Sequence, residues 1–386
     1  MTLNNKRNFR SDSNDFLSNI IFVVSYLMLG LVLCFFSLNS YSNDSYPKIS
    51  GDLVINLGID KLSSKDNKNI KKYNSILESQ SDLKLSINRN WSVETLWQSR
   101  KTGKNHYLNR KVYNPIISLE DRQISVDDES LFIEELKLSF KNEDLIFFVG
   151  KYNPHFGNSW NKKKRSSIFT VFFGRDYQIR EKIGVGITAL FENSELSFYP
   201  FFNDNTDLSN SAINKRGKNK RLYKVSGNTG SLSSYVVKLS GKNFLYLQDL
   251  SYHFAYKKID VNSSDLSEES GYISNFEYLF NIGRNTSIIP SYEIVKTNNV
   301  NGGRGVDSLH QIASLYFNYN SWSFSTSHFQ KNITETGNKI SDKYIEYNIG
   351  YRISDNMKVG VSRIGAKENN IEYRSFYTMF SYFKEF

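Results

Sequence analysis

The residues able to do chemistry are few, and most are cations. Five histidines, His106, His155, His253, His310 and His328, show no spacing that would place two on one metal. No Gly-x-Ser-x-Gly elbow is present. Ser251 and His253 lie two apart and would share one face of an extended segment, which is the least a barrel hydrolase needs. The same spacing arises readily in a chain this rich in serine. Charge is more concentrated. Lys162, Lys163, Lys164 and Arg165 stand in a row near Trp160 and His155, and a second group comprises Lys215, Arg216, Lys218, Lys220 and Arg221. Such runs gather anions rather than break bonds. The expectation is of no enzyme, no cofactor and no metal.

The elements that must position these runs begin after a leader. Lys6, Arg7 and Arg10 precede an apolar run from Ile20 to Leu38, and Ser40-Tyr41-Ser42 offers small residues for cleavage. Residues 1–42 therefore read as an export signal, and 43–386 as the mature chain. The only cysteine, Cys34, falls in that leader, so no disulfide framework or thiolate metal site is expected. The formal charge of +10 becomes +9 once three cations and two carboxylates leave with the leader. For an exported chain a basic balance points to anionic lipid or solute, not to nucleic acid.

The chain is polar overall, with a mean hydropathy of −0.48, yet alternation runs through it after the leader. Ile345, Tyr347, Ile349, Tyr351 and Ile353 interleave with Glu346, Asn348, Gly350 and Arg352. About sixteen segments of this kind can be marked. Proline is rare, with 5 residues, while 25 Tyr and 28 Phe suit the aromatic girdles of a membrane interface. Short connections alternate with long polar ones at 61–80, 101–130, 152–176, 204–231, 258–270, 297–306, 330–342 and 364–370. A sheet in lipid must have no free edge. The fold class expected is all-β: a transmembrane antiparallel β-barrel of about sixteen strands, with short periplasmic turns and long extracellular loops, in the outer membrane of a Gram-negative cell.

On this alternation the inward cations include Lys84, Lys137, Arg180, Lys182, Lys238 and Arg352. The inward acids include Glu135, Asp249 and Glu346. The wall nearly cancels its own charge. Anion preference would then hang on the 152–176 loop, if Trp160 and the Lys162–Arg165 run fold into the lumen as a constriction. The second basic run lies too far out to select ions across a Debye length of about 8 Å, and is expected to meet lipopolysaccharide phosphates.

Two segments carry a family resemblance. Phe376, Phe380, Tyr382 and the terminal Phe386 step back by twos, which resembles the signal read by the barrel-assembly machinery; Lys384 departs from it. Phe148-Val149-Gly150-Lys151-Tyr152-Asn153-Pro154-His155-Phe156-Gly157, with Arg175 to Val185 downstream, is similar to the matching stretch of the phosphate-selective (O/P type) porins. That resemblance implies a homotrimeric, sixteen-stranded porin passing small anionic or neutral solutes, phosphate among them. Its partners would be lipopolysaccharide, outer-membrane lipid and the assembly machinery. The alternative from the same residues is a non-conducting receptor or adhesin barrel, or a barrel hydrolase.

Overall fold

The structure is a computed structural model, and it describes residues 46–64, 71–101, 129–157, 176–213, 216–220, 223–244 and 247–386. In chain order the strands are β1 (Lys48–Ser64), β2 (Lys71–Ser86), β3 (Trp91–Lys101), β4 (Glu129–Lys141), β5 (Leu145–Tyr152), β6 (Lys182–Leu190), β7 (Ser194–Asn203), β8 (Ser234–Gly241) and β9 (Leu250–Ile259). They continue as β10 (Glu269–Tyr278), β11 (Phe280–Asn281), β12 (Thr286–Asn298), β13 (Val306–Tyr319), β14 (Trp322–Glu335), β15 (Asn338–Ser354), β16 (Met357–Glu368) and β17 (Ile371–Glu385). β10 and β11 both pair with β12 and form one crossing interrupted at Leu279, so the wall is crossed sixteen times.

Each strand pairs antiparallel with its neighbours in sequence, and β17 closes on β1 from Asp52↔Glu385 to Ser64↔Tyr373. The sheet is a closed antiparallel barrel with no free edge, which answers the backbone hydrogen-bond demand of a hydrocarbon environment. The alternation of β15 is realised as read. Ile345, Tyr347, Ile349, Tyr351 and Ile353 are exposed outward, while Tyr344, Glu346 and Asn348 are buried inward.

Several boundaries differ from the sequence reading, each for a local reason. A sixth strand starting at Tyr177 is not formed: residues 176–181 are irregular and β6 begins at Lys182. The ninth strand does not start at Phe244. It starts at Leu250, after a turn in which Asp249 adopts φ of 65° and is exposed rather than inward. The long loops expected at 330–342 and 364–370 are mostly strand. Thr336-Gly337 and Asn369-Asn370 are two-residue turns with φ of 46°, 88°, 47° and 66°, the geometry that matches the twist of a hairpin. The long connections therefore cluster in the first half of the barrel.

Candidate functional site: the lumen and the segments that enter it

The inner wall holds its charges as pairs. Lys137 on β4 lies 2.9 Å from Glu135 and 3.5 Å from Glu94, and Lys84 lies 3.7 Å from Glu94. Lys238 on β8 bonds Glu195 on β7, and Lys257 on β9 lies 2.5 Å from Glu269 on β10. Lys182 donates to the Asn203 side chain. Arg352 and Lys358 are directly opposed on β15 and β16, and among the described residues neither has an ion-pair partner. Glu346 is buried and accepts from Ser362 at 3.2 Å.

Below these pairs lies a cavity of about 900 Å³, reaching the short turns at Arg89-Asn90 and Glu192-Asn193. Lys84, Glu94, Lys137, Glu195 and Lys238 line it, with His155 and His253. Ser251 lines it too, so the sequence pair does meet the lumen, but beside a histidine that is 6% exposed and has an orphan Nε2.

The described ends of the connection from β5 to β6 enter the lumen. It leaves through Asn153–Gly157 and returns through 176–181, and the departing end meets β9 while the returning end reaches across to the facing wall. Phe156 lies under the Lys257 ammonium at 4.8 Å. Tyr177 donates its hydroxyl to Glu293 on β12 and packs against the His310 ring of β13 at 5.3 Å. Asp176 pairs with Lys331 on β14. β14 is eight crossings from β5, half-way round the barrel. Asp176, Tyr177, Lys257, Glu269, His310 and Lys331 share one small cavity of about 30 Å³. The return leg is also tied at home: Arg180 makes two 2.6 Å bonds to Glu134 and one of 2.9 Å to Gln98. Arg180 thus faces the lumen as expected, but from a loop and not from a strand.

The second basic run corrects the sequence reading. Arg216 was expected at the surface with lipid phosphates. It is fully buried, donating to Glu181 through its two terminal guanidinium nitrogens and to the Ser209 carbonyl through Nε, and stacking 3.8 Å over the Phe132 ring. Lys151 joins the same cluster, 3.2 Å from Glu181 and 2.9 Å from Asp204. Burial alone would raise the Glu181 carboxyl, but Arg216 and Lys151 outweigh it and hold it well below the usual carboxylate range. Lys218 is solvent-exposed and pairs with Asp207 at 2.6 Å, and Lys220 is exposed. Lys215, Arg221, Trp160, Lys162, Lys163, Lys164 and Arg165 lie outside the described residues.

Sequence reasoning missed Glu134, Glu195, Glu269 and Lys331. Glu134 is the extra residue of a bulge where Leu96↔Glu135 steps to Trp97↔Ile133, so its face could not be read from parity. Lys331 lies in 330–342, which its polar residues assign to a loop and the structure mostly to strand.

No family model matches the chain, and no curated protein does. Solved structures do. The outer membrane channel DcaP of Acinetobacter baumannii aligns over 90% of this chain and 100% of its own, at 12% identity and a TM-score of 0.54. A loop-deletion mutant of OmpT, an outer membrane protein of Vibrio cholerae, aligns over 87% and 99% at 10% identity and 0.52. OpdK of Pseudomonas aeruginosa, solved with vanillate, aligns over 88% and 99% at 8% identity and 0.51. At such identities the likeness is one of fold: the closed barrel of sixteen crossings built by this chain is similar in architecture to these outer-membrane proteins.

Proposed function

We propose that the protein is an outer-membrane porin, a passive diffusion channel for small hydrophilic solutes with a mild preference for anions, phosphate among them. One observation carries this reading: the return end of the β5–β6 connection is tied to the facing wall through Tyr177 and Asp176, and a cavity of about 900 Å³ lined by its departing end reaches the short turns. A segment so anchored narrows a lumen without sealing it. The paired wall charges give little net field. The preference comes from Lys162, Lys163, Lys164 and Arg165 on that connection, with Trp160 beside them, and from Arg352 and Lys358, which have no ion-pair partner among the described residues. The long-loop end faces the medium and the short turns face the periplasm. Phe376, Phe380, Tyr382 and Phe386 serve as the assembly signal, and three copies associate.

The test is conductance of the purified protein in a planar bilayer. Discrete channels are expected, with a reversal potential favouring chloride over potassium. Replacing the four cations at 162–165 by glutamine removes most of that preference, and Arg352→Gln with Lys358→Gln a smaller part. Absence of channels ends the porin reading, whereas a potassium preference ends only the anion claim.

A further inference from the structure

The outer face of β15, β16, β17 and β1 carries a patch of cations. Cross-strand pairing places Tyr347, Arg363, Phe376 and Lys61 in one row over four adjacent strands. Toward the long-loop end the next row sets Arg374 between Gly365 and Ser63, and the row beyond sets Lys343 opposite Lys367. All five cations are exposed, and none has an ion-pair partner among the described residues. One carboxylate, Glu372, stands in the patch, opposite Lys367. The corresponding outer surface of β8–β10 is different. It presents Tyr235, Tyr256 and Tyr272, and its Lys258 is matched by Glu268 at 2.9 Å.

Like charges directly opposed across two strands repel, and the single carboxylate beside Lys367 offsets only one of the five cations, so a bridging anion is favoured. Height identifies the anion. β15 has 17 residues. At a rise of ~3.3 Å and a tilt of ~40° it stands roughly 43 Å tall, against an apolar band of ~25 Å. Its outward apolar series ends at Ile345, and Lys343 is the next outward residue. The patch therefore lies where hydrocarbon gives way to headgroups. Exposed Tyr347, Phe376 and Tyr73 mark the same level, and the Lys61 ammonium lies 5.6 Å from the Tyr73 ring.

We propose that this patch binds the phosphates of an outer-leaflet glycolipid, lipopolysaccharide, with Arg363 and Arg374 gripping phosphate oxygens in their planar forks and Lys343, Lys367 and Lys61 adding charge. The inference rests on the outer-membrane reading above. It moves the lipid contact from the loop holding Arg216 to the strands of the closing seam.

The test compares the full-length mature protein with an Arg363→Gln/Lys367→Gln/Arg374→Gln variant in phosphatidylcholine nanodiscs doped with lipopolysaccharide. Bound glycolipid is counted by native mass spectrometry. The variant is expected to retain glycolipid on the order of a hundredfold more weakly while keeping its channels. Dephosphorylated glycolipid should bind the native protein as weakly, and free inorganic phosphate should not compete. If the triple variant fails to fold, Arg374→Gln alone and the salt dependence of native binding serve instead, each showing weakened retention. Retention unchanged by the substitutions, by dephosphorylation or by salt overturns the proposal. A native protein that enters no bilayer overturns the membrane reading itself.

Discussion

The two halves of this barrel spend their residues differently. From β5 to β8 the strands have 8 to 10 residues, barely enough to span a bilayer, which needs about 9–11. From β14 to β17 they have 12 to 17 and are joined at the far end by two-residue turns. The first half puts its surplus chain into long connections, whose described parts near Phe156, Asp176 and Arg216 turn back onto the wall and lumen. The second half puts it into tall strands that receive what the first half sends, at Glu293, His310 and Lys331. The inner surfaces differ to match. The first half is laddered with Lys–Glu pairs, and the second carries hydroxyls and amides, as in Ser314 with Ser327 at 2.9 Å and Asn348 with Ser325 at 3.0 Å. The contrast is between one half whose described connections reach inward and one whose strands receive them.

The sharpest way to break this contrast is at the buried cluster of the first half. Arg216→Ala leaves Glu181 and its neighbours with an unbalanced buried charge, a loss on the order of 3–5 kcal/mol. The 204–231 connection is expected to come free, and limited proteolysis should cleave it in the variant well before the native protein. The same cluster has a pH signature. Glu181 is held below its unfolded value, so its contribution is complete above that value and fades only as pH falls toward the depressed one. Native resistance to cleavage should therefore persist at pH 4, where an ordinary glutamate is largely protonated.

The crossing itself is the next target. Tyr177→Phe removes the bond to Glu293, and Asp176→Asn weakens the pair with Lys331. Each is expected to cost about 1.5–3 kcal/mol of anchoring, raising single-channel conductance and current noise together. Unchanged traces from the double variant would show that the contact on the far wall does not set the aperture. The smallest effect belongs to the quiet half. Asn369 and Asn370 hold left-handed backbone, so Asn370→Ala should lower thermal stability by about 1 kcal/mol, while Asn370→Gly leaves it level or better, with no change in conductance.

How much of this could be read in advance follows the same division. Outward and inward faces were legible wherever alternation runs unbroken, as from Ile345 to Ile353. Closure and strand number followed from the same periodicity. The turn residues Thr336-Gly337 and Asn369-Asn370 were visible too, and a stricter reading of their chemistry would have shortened both loops. Other features were not visible. The bulge at Glu134 shifts parity by one with no marker in the residues around it. The burial of Arg216 depends on Glu181, 35 positions away, and a run of surface-type residues does not reveal which of its members will turn inward.

The seam between β1 and β17 has a consequence for how the molecule comes into being. Gly51 exchanges backbone bonds with Phe386, at 2.9 and 3.1 Å, so partners more than three hundred positions apart must find each other last. Joining ends so remote is entropically demanding, and until it happens both margins of the sheet lie bare. A nascent chain released from the ribosome cannot complete this structure piecemeal. Until the two margins meet the sheet stays open, so the final strand acts as the latch of a gate hung on the first.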